Sequence, residues 1–353
     1  MRSIPVHAAQ PYEVLIERGI LSRAGELTGR AHSPCKVALI TDSTVERLYG
    51  SIVARSYQEA GFEVSCFAFP QGEISKNLRT YESILNFLAD SGVTRGDLIV
   101  ALGGGVVGDL AGFAAASYLR GIDFVQIPTT YLAAVDSSVG GKTGLNLNAG
   151  KNLCGAFHQP LAVFIDCDVF NTLPEKRFGD GVAETIKYGV IADEALFEIM
   201  ERDFLGTCVD EVVLRCIQIK AQFVAEDEFD NGTRRLLNFG HTFGHAIERC
   251  SDYRITHGYA VGIGMLMAAK AAQELDYCNE ECVRRIANTL ESHRLPLQSE
   301  YSAEELATAM LGDKKRKGDT LTFILPQQIG QCQVHDVPVS ELPAFVSCAL
   351  EVG

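Results

Sequence analysis

Up to about residue 170 the chain alternates short apolar runs with amphipathic stretches of helical spacing. The runs are Lys36–Asp42, Phe62–Phe67, Asp97–Leu102, Asp123–Ile127 and Leu161–Asp166. Runs that are apolar throughout read as strands buried on both faces, and strands separated by helices pair in parallel. The pattern therefore specifies an α/β domain of Rossmann type. From Leu173-Pro174 onward apolar residues recur at helical spacing almost to the end, with one hairpin expected at Thr320–Val334. The boundary is expected near residues 170–176. This gives an N-terminal Rossmann-like parallel-sheet domain over 1–172, a C-terminal mostly α-helical domain over 173–353, and a cleft between them where ligands commonly sit.

The 353 residues, 47% of them hydrophobic, suffice for two ordinary cores. Charge or glycine interrupts every apolar run before the roughly 18–20 residues a membrane span requires, and no hydrophobic signal segment follows Met1. A soluble, cytoplasmic protein without a membrane partner is expected. The eleven cysteines are scattered through apolar runs such as Phe164-Ile165-Asp166-Cys167, as small buried side chains in a reducing compartment would be. Cys278 and Cys282 have no paired partner of the kind a thiolate metal site uses. A net charge of −14 opposes nucleic acid as a partner, although cations that converge locally still bind an anion.

Directly after the third apolar run comes Gly103-Gly104-Gly105-Val106-Val107-Gly108-Asp109, entering a helix-like Leu110–Ala116. Glycines there let the backbone approach a phosphate, and the N–H groups of the helix start face the anion. A tight strand-to-helix turn without a ligand is the alternative. Asp42, at the end of an earlier strand, is placed to accept from a ribose hydroxyl or to cap a helix with Ser43 or Thr44. Further on stand Thr129-Thr130, Asp136, Gly140-Gly141-Lys142-Thr143 and Gly150-Lys151-Asn152. No glycine completes the P-loop spacing before Lys142, which argues against a nucleoside triphosphatase. What remains is Lys142, Lys151 and Asn152 on glycine-rich loops, suited to a phosphate or simply solvated.

In the helical half, Glu184 and Lys187 share one helix face, ordinarily a surface ion pair. His241 and His245 also share a face, with Arg234 and Asn238 just upstream and His257 on a further glycine-flanked segment. One histidine on an apolar helix is usually a satisfied core residue; three of the chain's eight within this short stretch argue for a site. Glu184 supplies the oxygen that His241 and His257 lack. Two imidazoles and a carboxylate make a catalytic zinc-type donor set, which also admits cobalt or iron.

Read together, these residues closely resemble the 3-dehydroquinate synthase family from about Gly72-Glu73 to Lys315. The most specific blocks are Gly103–Asp109, Ile127–Thr130 through Gly144, Gly150–Asn152, Ala183–Gly189 and Leu237–Glu248. The resemblance implies the dehydroquinate synthase-like fold, NAD and a divalent metal as cofactors, and a homodimer. It assigns Glu184, His241 and His257 to the metal. Spacing alone would name His241 and His245 together; the resemblance turns His245 to the substrate phosphate instead. The cofactor is expected against Asp42, Glu73, Lys76, Gly105, Val106, Val107, Gly108, Asp109, Thr129, Thr130, Lys142, Lys151, Phe170 and Thr172. Asp136, Lys142, Asn152, Lys187, Lys220, Arg234, Asn238, His245 and one of Lys314 and Lys315 are expected around the substrate, with Arg120 reaching the partner subunit's site. The implied substrate is a phosphorylated sugar acid, 3-deoxy-D-arabino-heptulosonate 7-phosphate. Transient oxidation by NAD, phosphate elimination, reduction, ring opening and an intramolecular aldol convert it to 3-dehydroquinate.

Two positions depart from the family pattern: Asp230 stands where glutamate is frequent, and Tyr259 follows His257-Gly258 where glutamate is common. Neither removes a metal ligand. Three other functions compete with the synthase. They are a sugar phosphate cyclase whose substrate has no carboxylate, a metal-dependent polyol dehydrogenase and a silent NAD-binding regulator. Lys220, Arg234 and Asn238 favour a carboxylated substrate, the Glu184/Lys187 helix and the lysine loops fit a dehydrogenase poorly, and a silent regulator needs no metal set.

Overall fold

The computed structural model describes residues 1–202, 208–311 and 319–351. The chain forms two compact units, Met1–Leu173 with Lys220–Phe229, and Pro174–Ile219 with Asp230–Gly353. The segment Lys220–Phe229, helical in pattern like the second half of the chain, thus folds with the first unit.

The first unit is built on β1 (Arg2–Val6), β2 (Tyr12–Ile16), β3 (Lys36–Asp42), β4 (Glu63–Phe69), β5 (Leu98–Gly103), β6 (Asp123–Pro128) and β9 (Ala162–Ile165). They pair in the order β1-β2-β9-β6-β5-β3-β4. The five runs read as strands all pair in parallel, and β2 joins them parallel to β9; β5 is buried at every position, which is why its sequence shows no alternation. The antiparallel β1–β2 pair at the edge is an addition to the expected sheet. Its outer strand mixes exposed and buried positions and contains Pro5, weak signals for a strand.

From the β4 edge the five expected strands lie second, first, third, fourth, fifth by chain order, so the winding reverses between β3 and β5. In such sheets ligands bind at the carboxyl ends of the two strands that flank the reversal. Asp42 ends β3 and Gly103 ends β5, with Thr41 and Leu102 in register just before them.

The glycine-rich stretches expected as loops form a two-stranded ribbon, β7 (Lys142–Leu147) and β8 (Gly150–Phe157). Thr143 and Leu145 are buried on it, and it packs on the helix Gly105–Ser117 that follows the glycine turn.

In the second unit the helix His257–Glu274 is buried on nearly all sides, as its apolar composition requires. Around it pack the helices Glu175–Ala192, His241–Cys250, Glu280–Ser292 and Leu342–Glu351. The expected hairpin is present as β10 (Thr320–Gln328) and β11 (Gln331–Pro338), somewhat longer than the sequence suggested.

Glycine sets how closely three of these helices approach. A Cβ on Gly258 would lie 2.3 Å from the Asp180 backbone, and one on Gly264 would lie 2.1 Å from the Gly240 carbonyl oxygen. Gly240 itself adopts φ 76°, the left-handed region, to start the His241 helix.

Among the described residues no helix is long and apolar enough to cross a membrane. None of the eleven cysteines is in a disulfide. Cys167, Cys216, Cys278 and Cys282 are buried, whereas Cys66 and Cys348 are exposed, against the expectation that the thiols sit inside.

Gly264→Ala is expected to destabilise the protein by about 1–3 kcal/mol, because backbone must move to admit the methyl group. A fall in the urea midpoint with an unchanged slope checks this, and an unchanged midpoint contradicts it.

Candidate functional site

Three helices each deliver one donor to a point inside the second unit. Glu184 lies in the middle of Glu175–Ala192, while His241 and His257 each open a helix. Glu184 Oε1 lies 3.3 Å from His241 Nε2 and 3.3 Å from His257 Nε2. Metal–ligand bonds of about 2.0–2.1 Å in a tetrahedron would separate adjacent ligand atoms by roughly 3.3–3.4 Å. Glu184 is wholly buried, yet neither of its oxygens accepts a hydrogen bond of regular geometry. A divalent cation satisfies both observations, and the residues present fit one.

The surroundings orient the ligands. His241 Nδ1 lies 3.1 Å from the Phe239 carbonyl oxygen, and His257 Nδ1 lies 3.3 Å from Glu248 Oε2. Lys187 Nζ sits against Glu184 Oε2, and both side chains are buried. The ion pair is therefore real, but the surface location that ordinarily explains such a pair is wrong. Burial pushes the Glu184 carboxyl up, but the Lys187 ammonium and the His241 and His257 imidazoles outweigh it and hold it well below the usual carboxylate range. Burial lowers His241 to about 4 against the pull of Glu184. His257 goes the other way: burial is outweighed by the Glu184 and Glu248 carboxylates at its two ring nitrogens, and its imidazole is pushed up to about 10.

His245, the next histidine of the same helix, has its ring centroid 5.6 Å from that of His241. It groups with Glu248 and His257, not with Glu184 and His241. Arg234 is buried, and it and Asn238 lie on the short helix Thr233–Asn238 that leads into the His241 helix. Asn238 Nδ2 donates to the Arg235 carbonyl oxygen at 3.1 Å. Asp230 takes φ 61°, a conformation that Asp adopts more readily than Glu. The Tyr259 ring lies at Gly179 and under the Lys176 ammonium, 5.7 Å from the ring centroid. Lys314 and Lys315 lie outside the described residues.

In the first unit the helix Gly105–Ser117, carrying Val106, Val107 and Asp109, begins without a side-chain cap, and the Val107 and Gly108 N–H groups both donate to the Gly104 carbonyl oxygen, at 3.0 and 3.1 Å. A Cβ on Gly108 would lie 2.5 Å from Oε1 of the buried Gln126 side chain on β6. The Thr129 hydroxyl is buried and without a hydrogen-bond partner among the described residues, and Thr130 packs at Gly104. Asp42 Oδ1 accepts from the Thr44 and Val45 N–H groups at 2.9 and 3.1 Å, so the capping role is present. Phe170 packs edge-on against Tyr131, and the Thr172 hydroxyl lies 2.7 Å from that of Tyr49.

Four of the candidate residues join one polar network. Lys76 Nζ donates to Asp109 Oδ2 and to Asn152 Oδ1, each at 2.5 Å. Burial works against the Lys76 ammonium, but the Asp109 and Glu73 charges outweigh it and raise its pKa. Asn146, which sequence reasoning missed, ties the rest: its Nδ2 donates to Glu73 Oε1 at 2.7 Å and its Oδ1 accepts from the Asn152 N–H at 2.9 Å. Its position between Lys142 and Lys151 was the available signal. Lys220 Nζ donates to Asp136 Oδ1 at 2.6 Å. Lys142 starts β7 exposed, and Lys151 is half-buried on β8. Arg120 is not brought to this group; it is exposed beyond the far end of the Gly105–Ser117 helix, roughly 20 Å along the helical rise from the glycine turn.

Two solved structures share this architecture. One is 2-deoxy-scyllo-inosose synthase complexed with carbaglucose-6-phosphate, NAD+ and Co2+, with TM-score 0.87, 26% identity and coverage of 98% of this chain and 99% of that one. The other is ValA, the 2-epi-5-epi-valiolone synthase of Streptomyces hygroscopicus subsp. jinggangensis 5008, with NAD+ and Zn2+ bound, with TM-score 0.87, 25% identity and coverage of 99% of both chains. The fold is thus that of the sugar phosphate cyclases. Within that class, the family models for the N-terminal and C-terminal parts of 3-dehydroquinate synthase match residues 66–180 and 181–316. The 3-dehydroquinate synthase of Streptococcus suis (strain 05ZYH33) is 42% identical over 343 residues, 95% of this chain and 97% of that protein. The chain belongs to the 3-dehydroquinate synthase family.

Glu184→Gln is expected to weaken zinc binding at least about 100-fold and to lower the unfolding midpoint, because Lys187 is left buried without its counter-charge. Chelator competition and a denaturation curve check the two parts separately. In the unaltered protein zinc affinity should fall as pH drops from about 9 to about 6, since a proton competes with the metal for His257 while His241, held at about 4, stays neutral; a flat profile contradicts ligation by His257.

Proposed function

We propose that the chain is a 3-dehydroquinate synthase: a phosphate-eliminating lyase that converts 3-deoxy-D-arabino-heptulosonate 7-phosphate to 3-dehydroquinate and phosphate, using NAD and a divalent metal, zinc or cobalt. It acts in the cytoplasm as a homodimer. The observation that carries this reading is the buried Glu184, His241 and His257 set with the Lys187 ammonium against its carboxylate. The first unit is assigned to the cofactor, the second to the metal.

Glu184, His241 and His257 would hold the metal and the glycine turn would hold NAD, which supply Lewis-acid polarisation of a hydroxyl and a reversible hydride acceptor when bound. The rest falls to the chain. Lys187, fixed beside a carboxylate, places an ammonium where charge develops as the substrate hydroxyl loses its proton. Arg234, buried and cationic, suits the substrate carboxylate, and a planar guanidinium matches that group in two hydrogen bonds. Lys220, steered by Asp136, is assigned to the same charged substrate. Asn152 and His245 are assigned to its phosphate. Once the ring carries a ketone, the neighbouring C–H is acidic, and the departing phosphate removes that proton itself. The chain then needs no separate general base, only groups that hold phosphate and ring in register. After ring opening the protein's task is to keep one conformer of the enolpyruvate until the aldol closes.

Metal-loaded protein given the heptulosonate phosphate and a catalytic amount of NAD should release phosphate and dehydroquinate in equal amounts with no net NADH. Chelator should abolish both. Steady accumulation of NADH would instead mean a dehydrogenase.

The assignment of Arg120 to the partner subunit has its own check. Arg120→Ala and Lys187→Ala proteins should each lose most activity, and hybrids refolded from a mixture should regain part of it, because one site of each hybrid is then complete. No recovery in verified hybrids would remove Arg120 from the partner's site.

A further inference from the structure

Glu248 is buried near the end of the His241 helix and faces two imidazoles. His257 Nδ1 lies 3.3 Å from its Oε2, and His245 offers a nitrogen within 4.8 Å of both. His245, Glu248 and His257 thus form a second set of ligand-type atoms, which shares His257 with the first. A neutral imidazole has one lone pair, so His257 cannot serve both sets at once. The ring is clasped at its two ends, with Nε2 at 3.3 Å from Glu184 and Nδ1 at 3.3 Å from Glu248. The Glu248 backbone is fixed too, since its carbonyl oxygen accepts from the Ser251 hydroxyl and the Tyr253 N–H, each at 2.8 Å.

We propose that Glu248 is a positioning residue and not a ligand: its carboxylate accepts the His257 Nδ1–H, turns the Nε2 lone pair toward Glu184 and His241, and so restricts the chain to one metal ion. This rests on the metal reading given above and adds to it the residue that selects the ligating nitrogen. A buried carboxylate behind a metal-binding histidine raises the basicity of the ring and fixes its tautomer. An amide in its place keeps the shape but loses the charge, and it can present its NH2 to Nδ1 and reverse the tautomer.

The test is a titration of the full chain, stripped of metal, with Zn2+ against a chromophoric chelator and with Co2+ followed by visible absorption. The unaltered protein should take up one ion per chain. Glu248→Gln should bind zinc about 10–100-fold more weakly and shift the Co2+ spectrum. Glu248→Asp, which keeps the charge, should recover part of the loss, and it serves as the test if the Gln variant does not fold. Zinc affinity and Co2+ spectrum unchanged in Glu248→Gln, or two ions bound per unaltered chain, would overturn the proposal. Absence of any metal binding by the unaltered protein would overturn the metal reading itself, an outcome visible before any variant is made.

Discussion

A carboxylate with no solvent exposure is the constraint around which the second unit is organised. An ion taken out of water without compensation costs several kcal/mol, far more than one side chain regains by packing. Glu184 meets that cost with nitrogens from its own helix and two others: Lys187 one turn along, and His241 and His257 at the starts of theirs. Helix packing and site assembly are consequently one problem. A shift of any of the three helices leaves a buried charge poorly matched, so the geometry that suits a cation is also the geometry that keeps the interior tolerable.

Close approach at glycine makes that match attainable. Gly258 lets the His257 helix lie on the Asp180 backbone, four residues before Glu184, and the Gly258 N–H donates to Asp180 Oδ1 at 3.0 Å. Gly264 lets the same helix touch the turn that opens the His241 helix. Side chains as long as Glu and His then meet within a few ångströms.

The first unit uses related means for a different end. Gly108 leaves room for the Gln126 side chain of β6 beside its helix, and the Lys76–Asp109 pair puts opposite charges together in a largely buried place. Asn146 then holds Asn152, whose φ of 54° is uncommon for a side-chain-bearing residue, by accepting its N–H. The network is polar and satisfied, which fixes its members in single orientations and prepares them for a charged ligand.

Much of this was legible in the amino-acid order because the signals are local. Fully apolar runs named the parallel strands, a glycine cluster after a strand named the turn, and histidines four apart with a third close by named a site. Other features were hidden by the same locality. The ribbon Lys142–Phe157 reads as loop because it is rich in glycine and its burial does not alternate regularly. Glu248 and Asp180 look like ordinary helix acids until the fold sets them against His257 and Gly258. By itself the sequence determined which elements form and which side chains carry chemistry, since periodicity and residue type act over a few residues. Only the tertiary structure decided that Glu184 is buried instead of exposed, that Glu248 stands behind His257, and that Asn146 joins Glu73 to Asn152. Those facts depend on contacts between segments far apart in the chain, and no spacing within a single element encodes them.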